Sequence, residues 1–382
     1  MVDPLIKIFD ASATKNFDTS LGYGVLSDAV SCTVSEERNG SFELSMEYPI
    51  GGVLYDYIQT RAILVAKPNP YDKPQAFRIY DISRPIDGTI TVSAEHISYD
   101  LSWIPMKGGA NGGSLYQVKN LIQQYAVNTD DLANFEFTYD ENLLGGFRVK
   151  LPQSLRAWFG ADTDDDNVRI LGAYGGELEF DNYHVIYHKN RGKDRGVRIV
   201  YGVNMTNLTV TTNSSSIYTH IYPFYYGDSG HLIAPGGAIT VAGLSGFKRT
   251  YVLDCTEYFN YEPEVAELAQ FAISYGSAML CNKETTTIEA SMIQFTNSEE
   301  YKNIAALEEV HLCDTVHCYH KELGVDASLK CTATEYDVLQ DRYTEITLST
   351  VTEYNAYTNK SNKAAKKTLA DIIAAKQDRN TL

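Results

Sequence analysis

The sequence predicts a multidomain, β-rich protein that carries α+β insertions. Three observations lead there. Tyr occurs 28 times in 382 residues, and Tyr and Thr both favour strands. Apolar and polar residues alternate with a period of two in several short runs bounded by turn residues. Between residues 106 and 195 the pattern changes to a Gly-rich stretch, a helical periodicity and a hairpin, the mixture of an α+β insertion. The composition, 44% hydrophobic and 21% charged, is that of a globular protein and excludes disorder or low complexity. At roughly 100–200 residues per domain the length suggests two to four domains.

Residues 1–105 read as an antiparallel β domain. Phe42, Leu44, Met46 and Tyr48 alternate with Ser41, Glu43, Ser45 and Glu47, a strand with one buried face, and Asn39-Gly40 ahead of it suits a hairpin turn. RAILVAKP, QAFRIYDISRP and GTITVSAEHISYDL follow as strands, separated by Pro68-Asn69-Pro70 and Asp87-Gly88. In 106–195, Gly108, Gly109, Gly112 and Gly113 predict a flexible loop. Ser114 then caps a helix with Leu115, Val118, Leu121, Ile122 and Tyr125 on one face. LPQSLRAWFGA predicts a short helix with Pro152 in its first turn, and GGELEFDNYHVIYHK a hairpin around Asp181-Asn182. Residues 196–255 return to strands. Residues 256–355 begin with a helix, EPEVAELAQFAISY, started by Pro263. Strands follow in TTTIEASMIQF, EEVHLCDTVHCYHKEL, VDASLKCTATEYDVL and RYTEITLST. Residues 356–382 predict an Ala- and Lys-rich helix with a narrow stripe of Leu369, Ile372 and Ile373, suited to packing against copies of itself or another subunit.

The charge limits function. Thirty-two Lys and Arg against 49 Asp and Glu give −17, which repels nucleic acid, and the cationic cluster Lys360, Lys363, Lys366 and Lys367 stands apart at the C-terminus. No apolar run reaches the roughly 18 residues of a membrane-spanning segment. The first residues carry no secretory signal pattern. Cys32, Cys255, Cys281, Cys313, Cys318 and Cys331 are too sparse for a disulfide scaffold and read as free thiols.

Few clusters suggest chemistry. His311, Cys313, His317, Cys318 and His320 offer five metal-type ligands in ten residues. On a strand, however, Cys318 and His320 face one way and His317 the other, and no zinc-site spacing is present, so strand residues are the favoured reading. Cys331 completes such a site only from a neighbouring strand. Asp162, Asp164, Asp165 and Asp166 begin like a calcium loop, but Asn167 stands where Gly is needed and Ala173 where Glu is needed. Glu95 and His96 are adjacent on a strand and point to opposite faces. Ser245 in GLSGF matches only the core of a nucleophile motif, and GGANGG lacks the ending of a phosphate loop. These residues define no active site: no catalytic, cofactor-binding or metal-binding residue is assigned, and no cofactor is expected.

Several phrases together resemble one family. They are ERNGSFELSMEYP, VSAEHISYDL, GELEFDNYHVIYHKNRGKDRGVRIVYGVNMTNL, THIYPF and EEVHLCDTVHCYHKELGVDASLKCTATEYDVLQDRYTEITL. In order and spacing, over about residues 30–350, they are similar to prophage tail-associated proteins, the tail-tip or baseplate hub proteins of phages infecting Gram-positive bacteria. The resemblance implies two small β domains of tail-tube type plus α+β domains. It also implies a homotrimer that closes the tail tube and opens for DNA passage without binding DNA specifically. The partners implied are the distal tail protein, other baseplate proteins and the tape measure protein. The place implied is the virion tail tip, assembled in the host cytoplasm. Relatives show a Gly-Asp-Thr-Val-like turn where Cys313-Asp314-Thr315-Val316 stands, so Cys313 departs from the pattern at a place where a Gly allows a positive φ that Cys tolerates poorly. The enzymatic alternative, a tail-associated peptidoglycan-degrading lysin or endopeptidase, lacks any residue frame here. Zymography on peptidoglycan separates the two.

Overall fold

A computed structural model describes residues 6–86, 88–162, 166–201, 203–213, 217–227, 230–240, 248–259, 261–278, 285–292 and 309–350. The helix expected over 356–382, with its stripe and its lysines, lies outside the described residues, as do Cys281 and Ser245. Two compact units arise. One comprises the described residues up to Thr209 together with those from Ile288 onward, and the other comprises those of Val210–Thr287.

The first unit begins with seven strands: β1 (Lys7–Phe9), β2 (Gly24–Val25), β3 (Ser31–Glu37), β4 (Phe42–Pro49), β5 (Ile63–Ala66), β6 (Gln75–Ser83) and β7 (Thr89–His96). All their pairings are antiparallel. On β4 the alternation works as expected: Phe42, Leu44, Met46 and Tyr48 are buried while Glu43, Ser45 and Glu47 are not. Asn39 adopts φ 56 in the turn joining β3 to β4, a conformation Asn tolerates better than most residues.

The chain then forms a separate apolar core around Trp158, built by β8 (Pro105–Met106), β9 (Ala110–Ser114), α1 (Leu115–Tyr125), β10 (Glu136–Tyr139), β11 (Leu144–Val149), β12 (Gln153–Ser154), α2 (Leu155–Trp158), β13 (Asn167–Val168), α3 (Ile170–Tyr174), β14 (Glu177–Asp181) and β15 (His184–His188). Ser114 caps α1 as expected, accepting from the Gln117 amide at 3.3 Å, and Leu115, Val118 and Ile122 are buried. Two expectations need correction. Residues Ala110–Ser114 are a strand paired with β11, not part of a loop. The glycine at 108 is set by close approach, since a Cβ there would stand 2.4 Å from the Lys150 carbonyl oxygen. Pro152 is not in the first turn of α2. Ser154 caps that helix, and Pro152 precedes the short strand β12.

The described residues of the sheet are completed by β16 (Asp194–Val200), β17 (Met205–Asn213), β22 (Thr285–Met292), β23 (Thr315–His320), β24 (Val325–Asp337) and β25 (Arg342–Ser349). The order is β17-β22-β25-β24-β3-β4-β7-β6-β5-β1-β2, with β23 joining β16 to β24. Strand β24 is the keystone. Its first half pairs with β23, its second half with β3, and β25 runs antiparallel along it. One apolar core therefore runs from Ile8, Leu44 and Phe77 to Val316, Tyr336 and Ile346. The strand expected over EEVHLCDTVHCYHKEL is shorter than its phrase. Only Thr315–His320 is strand, because the Asp314 carboxylate captures the His311 amide at 2.9 Å and closes a turn.

The second unit centres on β18 (His220–Tyr226), which pairs antiparallel with β19 (Leu232–Ile233) and β20 (Ile239–Thr240) and parallel with β21 (Thr250–Asp254). Helix α4 (Val265–Ala278) buries Leu268, Phe271 and Ala272 against Ile221, Leu253 and Phe259. It starts two residues after Pro263, where the Glu267 carboxylate accepts the Glu264 amide at 2.8 Å, one half of a capping box.

Candidate functional site

The densest chemistry in the first unit is a buried ionic junction. It joins the β3–β4 hairpin, β14 with the chain after β15, and β24. Glu177, 1% exposed, opens β14. Its Oε1 accepts from Arg38 Nε at 2.7 Å and from Lys330 Nζ, and its Oε2 from the Arg191 amide at 2.7 Å. Burial alone would raise this carboxyl. The hydrogen bonds from Lys330, the Arg191 amide and Arg38 outweigh it and hold the group below its ordinary value. Arg191 donates from Nη1 to Glu36 at 2.9 Å and to the Leu178 carbonyl at 3.3 Å. Burial pushes the Glu36 carboxyl up, and Arg191 draws it partway back. Asn39 completes the seam, accepting from the Leu178 amide at 2.8 Å and donating to the Gly176 carbonyl at 3.0 Å.

A second knot lies beside it. Asp314, 2% exposed, accepts from the Lys193 amide at 2.7 Å and from Arg195 Nε at 2.7 Å. Gly192 passes so close to the Cys313–Asp314 peptide that no side chain fits there. Cys313 itself adopts φ 72, the conformation that a glycine at this place would take freely. At the far end of β15, His188 places Nδ1 2.6 Å from Asp140 and Nε2 2.7 Å from Glu179. With a carboxylate at each nitrogen, led by Glu179, the imidazolium is favoured and its pKa raised. Its stabilisation is therefore present below the ordinary value of 6.5 and fades as pH rises through the folded value. His188→Gln should lower the urea midpoint at pH 5.5 and change it much less at pH 9. Equal losses at both values would contradict this assignment.

The residues singled out by sequence scatter. On β23, Val316, Cys318 and His320 face the core while His317 and Tyr319 face away. His311 stacks on Tyr71 at 4.3 Å and bonds Glu309 at 2.7 Å, whereas His317 bonds Asp194 at 3.0 Å. The Cys331 amide donates to the Asp314 carbonyl at 2.8 Å. Burial pushes the Cys313 thiol up to about 12, away from the thiolate that metal binding or nucleophilic attack needs. Among the described residues no group of three or more His, Cys, Asp or Glu is placed to hold a metal ion. Of the acidic run, Asp162 lies 3.7 Å from Arg169 and Asp166 accepts from Lys150 at 2.7 Å. Asp164 and Asp165 lie outside the described residues, Asn167 is in β13, and Ala173 is buried in α3. His96 is wholly buried. Its Nδ1 accepts from the Ser98 amide at 3.2 Å, so Nε2 is the protonated nitrogen and donates to Gln75 at 3.2 Å. Burial drops its pKa to about 3, and it stacks on Phe42 at 4.3 Å as a neutral core ring. Glu95 points to the other face.

The sequence reading missed the junction. Its one sequence signal is the spacing of Glu177, Glu179 and Asp181, which sets three acids on one face of a strand. A buried ion pair gains little over an apolar pair of equal size, yet losing one partner is costly. The arrangement therefore ties β14 to the β3–β4 hairpin and to β24, and a shift of register would break it.

No protein-family model matches the chain, and no curated protein matches it by sequence. Solved structures do match. Prophage tail protein gp18 from Listeria monocytogenes EGD-e is 17% identical with a TM-score of 0.53, covering 96% of this chain and 100% of that one. The 43 kDa tail protein of prophage MuSo2 from Shewanella oneidensis is 12% identical with a TM-score of 0.54, covering 91% and 98%. A tail protein from Neisseria meningitidis MC58 is 7% identical with a TM-score of 0.51, covering 91% and 97%. The sequences share little, while the path of the chain is shared almost end to end. The multi-sheet, β-rich architecture described above is thus the fold of prophage tail proteins.

Proposed function

We propose that the chain is a structural, non-enzymatic protein of the tail of a phage or phage-like particle, placed at the tip as the baseplate hub. The observation that carries this reading is the likeness to prophage tail proteins, which runs over 91–96% of the chain and nearly their full length. In this role it closes the tail tube, organises the tip beside the distal tail and tape measure proteins, and opens for DNA passage. It is assembled in the host cytoplasm and resides at the virion tail tip. Domains at 1–105 with part of 196–255, 106–195, 256–355 and 356–382 belong to the same proposal, and limited proteolysis tests their borders.

The proposed assembly is a homotrimer. Light scattering of purified protein at high concentration should give about three times the chain mass of 42.6 kDa. A stable monomer under those conditions would count against the hub reading. The channel wall of that trimer should be acidic or neutral, since each chain carries −17. Carboxylates repel the phosphate backbone within about 8 Å at physiological salt, and Lys or Arg contacts would add a salt-dependent drag on moving DNA. Fluorescence anisotropy with a duplex should show no binding at moderate salt. Tight binding that weakens as salt rises would overturn the idea.

A further inference from the structure

Four buried side-chain polar atoms lack a hydrogen-bond partner among the described residues: Gln153 Nε2, Arg156 Nη1 and Trp158 Nε1, close together in sequence, and Ser98 Oγ. The turn Ile97–Trp103, which holds Ser98, packs against α2, which holds Arg156 and Trp158. Three of the four are donors only, and the fourth is a hydroxyl that can donate. Orphaned buried donors are rare in folded proteins and call for an explanation. A set of donors calls for an acceptor.

Arg156 is the charged member. Arg38, Arg78, Arg169, Arg191 and Arg195 each hold a carboxylate at 3.7 Å or closer. Arg156 instead lays its guanidinium 3.5 Å above the Tyr99 ring. That stacking fixes the guanidinium plane in advance of any ligand. Burial disfavours its charge, and the fields of Tyr99 and Glu95 together with a hydrogen bond to Tyr99 offset this only in part.

Arg156, alone of the four, stands in the wall of a cavity of ≈ 150 Å³, with Asn39, Leu101, Phe159, Leu171, Leu178 and Phe180 beside it. A cavity of about that volume holds a benzene-sized guest. Its chemistry is one cationic donor in a largely apolar wall, since the Asn39 amide beside it is already bonded to the Leu178 amide and the Gly176 carbonyl. A carboxylate accepts without donating and matches a guanidinium fork with strong, charge-assisted bonds. A phosphate would bring more oxygens into this wall than it could satisfy, and a neutral guest would add no charge to the partial compensation from Tyr99 and Glu95.

We propose that this cavity binds a monocarboxylate borne on a compact apolar body, anchored by Arg156. The carboxylate neutralises the guanidinium, and the body fills the space between Leu101, Leu171 and Phe180. Such a group occurs on a free aromatic or branched aliphatic acid and on the C-terminal apolar residue of a polypeptide.

Calorimetric titration of the whole chain with benzoate and with benzamide tests this without any variant. The two share shape and differ in charge. Benzoate should bind at least about tenfold more tightly, the value of a charge-assisted hydrogen bond. Arg156→Gln, checked for folding by circular dichroism, should abolish that preference, and Arg156→Lys should keep part of it. An acetylated dipeptide ending in Leu, with free or amidated C-terminus, separates the sources. Tighter binding of the free peptide than of benzoate assigns the site to a polypeptide terminus. Benzoate binding without peptide binding assigns it to a free acid. If no carboxylate binds, or benzoate and benzamide bind alike, the proposal is wrong.

Discussion

Glu177→Ala should be among the most damaging single substitutions in the protein, destabilising the first unit by about 3–5 kcal/mol. The side chain is 1% exposed, while its partners Arg38 and Lys330 are 17% and 21% exposed. Removing the carboxylate strands both cations and the Arg191 amide beside a small apolar void. Glu177→Gln keeps the shape and one acceptor oxygen, and should cost roughly half as much. Urea unfolding at unchanged m-value measures the loss. The pH dependence follows from the same group. Its folded pKa is depressed, so its stabilisation is present above the ordinary value of 4.5 and lost as pH falls through the folded value. Glu36 works the other way. Its pKa is raised by burial, so it takes up a proton first on acidification and favours the folded state as it does so. Stability should therefore hold down to about pH 4.5 and fall below it, and Glu177→Gln should flatten that fall. A wild-type midpoint that declines steadily from pH 7 would contradict this account.

Gly192→Ala should cost about 3–5 kcal/mol, from overpacking plus two lost hydrogen bonds, one between backbone groups and one from a backbone amide to the Asp314 carboxylate. A Cβ at that position would stand 1.8 Å from the Cys313 carbonyl oxygen and 2.5 Å from the Asp314 nitrogen. Both obstacles are backbone, so no rotamer change relieves them. The chain after β15 must then lift from the 311–314 turn. That movement breaks the bond from the Lys193 amide to Asp314, at 2.7 Å, and the bond from the Thr315 amide to the Lys193 carbonyl, at 2.9 Å. Amide exchange at Thr315 should speed up in the variant by more than at Leu44, which lies on β4. Wild-type exchange at Thr315 together with an unchanged melting temperature would mean that the close approach is not present.

The parts of the fold that could be read in the sequence are those whose cause is local. Strand β4 followed from an alternation within eight residues, and α1 from Ser114 and a stripe at Leu115, Val118 and Ile122. The residue pattern alone ran the 311–314 turn into an apparent strand, because Asp314 looks the same in either setting, and only the family resemblance placed a turn at Cys313-Asp314-Thr315-Val316. The ionic junction was hidden for a different reason. Arg38 meets Glu177 across 139 residues of sequence, and Arg191 meets Glu36 across 155. No periodicity records such a pairing. In the His311–His320 cluster the alternation of strand faces, itself a local signal, already set His317 apart from Cys318 and His320, and the structure divides them in that way. Comparison with a family pattern marked Cys313 as a departure from a glycine that allows positive φ, and the cysteine adopts that conformation at φ 72.

Strand β24 has a consequence for the chain while it is being made. Ala333 pairs with Glu37, and Asp337 with Thr33, about 300 residues later in order of synthesis. At roughly 5–20 residues per second, β3 waits about 15–60 s for its outer neighbour to leave the ribosome. During that interval the amides and carbonyls of Ser31–Glu37 on that side form an open sheet edge, able to recruit a strand from a nearby nascent chain. The acidic residues Glu36 and Glu37 at its end oppose that pairing between identical copies, because a second copy brings the same charges to the same edge. Slow, late closure by a distant strand makes the yield of soluble protein sensitive to translation rate and temperature.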